Sequence, residues 1–428
     1  MPPTSPLLDR RSLLVAAGVA APLAALPGAF DRADALVDTR TMKRKKAPSD
    51  RVLTMSGLYS WPQDYLRNRE QMRGLSATTL RLASDQMDDA AWTAAKEDGY
   101  DTHFTLSTED RSEFSSDEAW IANHVAVLDS SLRRWPFKWV EIMNEPNFSL
   151  WWDATPEQRQ TAYGKLLVAA YRHVKNNFPG TGVVGFAAGG SSAAAPDFIR
   201  AVIERVPEAA SSFDVLSMHP YIAPVAPEET KHEDWGSWSI RGQVKAVREL
   251  GVKTPIWFSE IGWEIAQSEG GLYSRDSIYT VSAEKQAAYT ARMFILAMRL
   301  GVQRVHHMYV IDTDNYNGGF FGDSGARLQA KAMAYQQQVL RRPTAIRSLG
   351  DRHSGVHAHR VRTANGPVTV AWADGEHRLQ VGRRATVRDL YGDPVRVKAG
   401  RVALTGSPVY VTGSDLGTAA RRRRTLSV

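Results

Sequence analysis

Residues 139–147 read WVEIMNEPN and residues 254–263 read TPIWFSEIGW; both are apolar runs that carry carboxylates. Burying a carboxylate costs several kcal/mol unless it is paired or put to use. Glu141 lies in mid-run, where a carboxylate hydrogen-bonds inside a fold, so it is expected to be structural. Glu145 and Glu260 instead stand where their runs end. Two carboxyl groups facing each other across a cleft are the minimum apparatus for breaking a glycosidic bond. One donates a proton while the other attacks the sugar or activates water.

Other chemistries find less support. With no cysteine in 428 residues, thiolate nucleophiles, disulfides and thiolate zinc sites are excluded. Neither HExxH nor GxSxG occurs. His306 and His307 are adjacent on one apparent strand, point to opposite faces and cannot easily share a metal. The glycines at 180, 182 and 185 match GxGxxG but follow a helix and enter a strand, the reverse of a dinucleotide site. Asp312 and Asp314 resemble the start of a calcium loop, yet Asn317 stands where such a loop requires glycine. No cofactor and no metal are expected.

The elements that must hold the two glutamates follow a rhythm. Short apolar runs at 52–57, 77–83, 102–106, 138–143, 182–186, 215–219, 256–259 and 305–311 alternate with helical periodicity. The clearest helical stretches are 157–177, 239–250, 283–300 and 327–340; the first is opened by Thr155-Pro156, a cap and a first-turn proline. This predicts an α/β fold, a (β/α)8 TIM barrel over residues 51–343. Glu145 then ends the fourth strand and Glu260 the seventh, nearly opposite across the mouth where barrel chemistry sits. From 344 to 413 turn signals at Asn365-Gly366, Asp374-Gly375 and Gly392-Asp393-Pro394 punctuate short apolar runs, which predicts a small all-β sandwich domain.

The ends carry a different message. Arg10-Arg11, an Ala-rich apolar run and small residues predict a twin-arginine-type signal peptide over 1–35 and secretion to the cell surface or beyond. That run is too short for a membrane span. A basic linker follows at 36–50, and a basic tail occupies 414–428. The net charge is +7, but Arg40, Lys43, Arg44, Lys45, Lys46 and residues 421–424 outnumber that excess. The remainder is slightly acidic, which argues against a nucleic-acid partner and leaves a carbohydrate as the expected one.

Together these residues resemble the clan A glycoside hydrolases, nearest to families 39 and 5. Asn144-Glu145-Pro146 is similar to the clan's acid/base motif, and Glu260 at the tip of the seventh strand to its nucleophile. His219-Pro220-Tyr221 after the sixth strand is similar to the pair that supports the nucleophile, and Arg81 matches the arginine beside it. The resemblance spans residues 50–412 and implies retention by double displacement, with Asn144 on the sugar 2-hydroxyl. Where the clan frequently has tryptophan at the eighth strand tip, the nearest aromatic here is Tyr309. Trp263, Trp151, Trp152 and Trp61 follow strand ends and are candidate platforms for sugar faces, Trp263 foremost. Two other readings use the same barrel: transglycosylation, or a carbohydrate-binding protein that does not cut.

Overall fold

In the computed structural model the described residues are 53–413, apart from 85, 107–110, 149–153, 191–193, 230–238, 267–279, 313–315, 323–324 and 350–354. The two terminal segments, Trp151 and Trp152 therefore lie outside the described residues. The eight barrel strands are β1 (Met55–Ser60), β2 (Thr79–Ala83), β3 (Asp101–Leu106), β4 (Trp139–Ile142), β5 (Gly182–Gly189), β6 (Val215–His219), β7 (Ile256–Ile261) and β8 (Val302–His307). Each pairs in parallel with its neighbours, and β8 closes onto β1. Strands buried on both faces need no polar alternation, which is why they appear in sequence as near-continuous apolar runs.

Between them run α1 (Pro62–Arg67), α2 (Arg69–Gly74), α3 (Asp89–Glu97), α4 (Asp117–Arg134), α5 (Pro156–Asn177), α6 (Ala194–Arg205), α7 (Ile240–Glu249), α8 (Ala283–Leu300) and α9 (Leu328–Val339). The starts are written in the sequence. Thr155 and Gln158 form a capping box on α5, while Ser116, Ser239 and Ser282 cap α4, α7 and α8. α8 stops at Gly301, whose φ of 70° is the left-handed turn that glycine adopts without cost. β1 begins three residues later than expected and runs to Ser60, just before the first-turn Pro62. β8 begins three residues earlier than expected and ends at His307.

The inside of the barrel is more polar than branched aliphatics would make it. Arg81, His103, Glu141, Ser217, Ser259 and His306 are all fully buried. His306 Nε2 lies 3.1 Å from Thr79 Oγ1, whereas His307, next in sequence, packs edge-on against Phe320. The two histidines do face opposite ways.

The C-terminal region is antiparallel. β9 (Ala345–Ser348), β10 (Val356–Thr363), β11 (Gly366–Ala373), β12 (His377–Gln380), β13 (Thr386–Arg388), β14 (Arg401–Leu404) and β15 (Val409–Thr412) form two sheets. One has the order β9-β10-β11-β15-β13; the other pairs β12 with β14. Strand alternation gives the larger sheet two buried faces. Ala371 and Ala373 face Val402 and Leu404 of the smaller sheet, while Val368, Val370 and Trp372 face Phe294, Ile295 and Met298 of α8. The architecture is a TIM barrel followed by a β domain packed on its flank. Among the described residues no helix is long and apolar enough to cross a membrane.

Candidate active site

Glu145 and Glu260 meet at the C-terminal mouth of the barrel. One carboxylate oxygen of each, together with a ring nitrogen of His219, lie within 4.8 Å of one another. Both glutamates keep 6% of their surface exposed, enough to be reached from the cleft. The backbone that aims them is unusual. Met143, Glu145, Phe186 and Ala187 have φ of 69°, 44°, 76° and 39°, a region that side chains enter only when their surroundings compel it. Phe186 and Ala187 fall in a register shift between β5 and β6, and the bulge presents the Ala187 carbonyl to the Glu145 N–H at 3.1 Å. A second shift between β8 and β7 lies at Ser259 and Glu260, which lets both neighbouring side chains reach polar partners.

The surroundings of the two carboxyls differ. Glu260 accepts from Arg81 Nη1 at 3.0 Å and from the Tyr221 hydroxyl at 2.5 Å. Among the described residues no Lys or Arg pairs with Glu145; its Oε1 lies 3.0 Å from His219 Nδ1. His219 was expected to support the nucleophile, yet its nearest carboxylate is Glu145, with Glu260 Oε2 at 3.9 Å. Its other nitrogen lies 2.9 Å from Ser259 Oγ, to which Ser217 donates at 2.5 Å. Tyr221 alone of the pair bonds Glu260.

Arg81 is the hub beneath both groups. Its Nη2 donates to Glu141 Oε1 at 2.5 Å and to Asn144 Oδ1 at 2.6 Å, and its guanidinium lies 4.2 Å from the Tyr59 ring centre. Burial opposes the Arg81 charge, but Glu141, Tyr59 and Glu260 outweigh it and its pKa is raised. Burial likewise opposes the Glu141 charge, and Arg81 outweighs it, so that carboxyl is lowered. Thr105 also donates to Glu141 at 3.0 Å. Glu141 thus stays inside the barrel, as expected from its mid-strand position. Because Asn144 gives its carbonyl oxygen to Arg81, its NH2 group is turned away from the guanidinium. Tyr221 is raised well above the ordinary phenol, first by burial and then by the Glu260 charge, and remains a donor.

Three supporting residues carried no role in the sequence reading. Asn147 grips the Gly189 backbone from both sides, Oδ1 accepting from its N–H at 2.9 Å and Nδ2 donating to its carbonyl at 2.7 Å. A side chain at Gly189 would put Cβ 2.3 Å from Glu145 Oε1, so only glycine leaves room for the carboxylate. Ser259 completes the set. Its signal was a hydroxyl inside a buried strand, directly before a glutamate.

The aromatics are placed differently from expectation. Trp263 is 1% exposed, its indole N–H donates to the Val225 carbonyl at 3.0 Å and its ring packs edge-on against Tyr289. It is therefore packing beneath a loop, not an open platform. Tyr309 is 3% exposed, with its ring 5.0 Å from Tyr59 and 5.2 Å from Tyr316. The cis peptide Met308–Tyr309 lies in that wall. Trp61 is half-buried beside Tyr59, 6.3 Å between ring centres. Asp312, the calcium candidate, pairs with Arg327 and accepts from the Gly319 N–H at 2.9 Å.

No protein-family model and no curated protein matches the sequence. Solved structures match its fold. A family 39 β-xylosidase from Caulobacter crescentus aligns with a TM-score of 0.56 at 18% identity, over 86% of this chain and 97% of its own. The family 30 xylanase C of Talaromyces cellulolyticus gives 0.55 at 12%, over 84% and 96%. A 4-O-α-L-rhamnosyl-β-D-glucuronidase from Fusarium oxysporum 12S gives 0.56 at 12%, over 86% and 98%. The chain shares the barrel and β-domain fold of these glycoside hydrolases.

Proposed function

We propose that this protein is a retaining glycoside hydrolase acting on a polysaccharide or oligosaccharide. The observation that carries the reading is the unequal pair at the barrel mouth. One oxygen of each carboxyl lies within 4.8 Å of one on the other, a closeness that favours direct attack over seating a water between acid and base. Glu260, held by a cation and a hydroxyl, is the nucleophile. Glu145, beside His219 and with no Lys or Arg partner among the described residues, is the acid/base. In the first step the Glu260 carboxylate forms a bond to the anomeric carbon as the glycosidic C–O bond breaks and the Glu145 proton passes to the leaving oxygen. In the second, Glu145 takes a proton from water, whose oxygen displaces Glu260 and restores the starting configuration. Asn144, whose Oδ1 accepts from Arg81, leaves its NH2 group for the sugar 2-hydroxyl in this reading. Secretion by the twin-arginine route, from Arg10-Arg11 and the apolar run behind them, is part of the same proposal. A reporter fused to residues 1–35 tests it: export lost in R10K/R11K supports it, and unchanged export contradicts it.

The activity is tested on purified protein with β-glucans, xylan, mannan and bacterial exopolysaccharides, read by new reducing ends and product size. Release of short products by the wild type and none by Glu260→Gln supports hydrolysis. Tight binding of a polysaccharide without any cleavage would overturn it in favour of a binding protein.

A further inference from the structure

The loop after β6 begins at Tyr221 and reaches Glu228, which lies between the barrel and the β domain. Arg292 of α8 pairs with Glu228, and the indole N–H of Trp372 in β11 donates to Glu228 Oε1 at 2.7 Å. The Arg292 side chain is 3% and the Glu228 side chain 11% exposed. Arg292 also donates to the Gly406 carbonyl of the β domain at 3.1 Å, while His357 of β10 stacks flat on Trp372 with ring centres 5.1 Å apart. A charge pair so far from water holds only where its partners are fixed, and removing one leaves the other uncompensated.

The same loop is tied at two further points. Tyr221 bonds Glu260, and the Val225 carbonyl accepts from Trp263, three residues beyond Glu260. Trp263 rests on Tyr289, and the Arg292 guanidinium lies 5.2 Å from the Tyr289 ring centre. The contacts close a circuit that runs from Glu260 through Trp263, Tyr289, Arg292 and Glu228 and returns along the loop to Tyr221. We infer that Glu228 is a positioning residue, and that the β domain, through Trp372, clamps this loop so that Tyr221 stays on the nucleophile. The inference rests on the hydrolase reading for its catalytic consequence, but the clamp itself does not. The β domain is then a working part of the active-site scaffold rather than an appended sugar-binding module.

Trp372→Phe tests it, since it keeps an aromatic, though smaller, side chain and removes the N–H donor. Two measurements are made on the full chain. Hydrogen exchange of residues 220–229 is expected to rise about tenfold in Trp372→Phe while the barrel strands keep their protection; unchanged protection of that loop overturns the clamp whether or not the protein is active. On an aryl glycoside, kcat is expected to fall about fivefold in the wild-type background and to change little in a Tyr221→Phe background, because the effect passes through Tyr221. Equal losses in both backgrounds, or a lower Tm with unchanged kcat, would reduce Glu228 and Trp372 to structural packing. A wild type that cleaves nothing sinks the hydrolase reading and leaves the exchange result to decide the clamp.

Discussion

Arg81 lets one buried charge serve two carboxylates with different tasks. Its bonds to Glu141 and Asn144 fix the guanidinium, and its third donor reaches Glu260. Replacing Arg81 by methionine strands Glu141 in the barrel interior, so about 3–5 kcal/mol of stability should be lost, read by chemical denaturation. A loss under 1 kcal/mol would mean that Glu141 is solvated after all. Tyr221→Phe removes only a hydroxyl; kcat should fall about 10–100-fold with Tm nearly unchanged, measured on an aryl glycoside. The acid/base role of Glu145 has its own check. In Glu145→Ala, azide should restore turnover of a substrate with a good leaving group, and no rescue with no azide adduct would count against it.

At the scale of elements, two bulged strands and one amide hold the site in shape. The β5 bulge supplies Ala187, and Asn147 locks the end of that strand to the segment that carries Glu145. Gly189→Ala should lower kcat about 100-fold while the far-UV spectrum stays native, because the added methyl meets the Glu145 carboxylate at 2.3 Å. Normal kcat in that variant would show that Glu145 can work from another position. Strand order and the two strand-tip glutamates were legible in sequence because each depends on local pattern, an apolar run and its end, whereas Arg81 was singled out only by the family resemblance. The fate of Trp263 was not. Whether a tryptophan near a strand end lies open or buried depends on which loop covers it, here Val225 from the preceding unit. The place of His219, nearer Glu145 at 3.0 Å than Glu260 at 3.9 Å, was not legible for a similar reason: which of two facing carboxylates a side chain meets depends on how their strands are aimed.

For the whole molecule, buried neutral histidines set the acid limit. Burial pushes His124 and His307 down to about 4, from an ordinary 6.5, and pushes His103 and His306 well below their ordinary value. A histidine depressed in the folded state contributes stability that is complete above the unfolded value and lost as pH falls toward the folded one. For His124 and His307 that window runs from pH 6.5 to about 4, each accounting for roughly 3 kcal/mol. Tm should therefore drop steeply through this window, and His124→Phe should flatten the slope; a Tm constant from pH 7 to 4.5 would contradict it. The β domain has a fold-scale counterpart. Without residues 344–413, Phe294, Ile295 and Met298 of α8 lose their cover, and the shortened chain should aggregate on expression rather than purify as a monomer.

The central claim is that Glu260 attacks the sugar. The most direct measurement is to trap the intermediate with a 2-fluoro glycoside carrying a good leaving group and to map the adduct by peptide mass spectrometry. The expected result is one equivalent of glycosyl ester on Glu260, formed by the wild type and absent in Glu260→Gln. Turnover that proceeds without any covalent adduct and yields product of inverted configuration, or an ester on Glu145 instead, would contradict it.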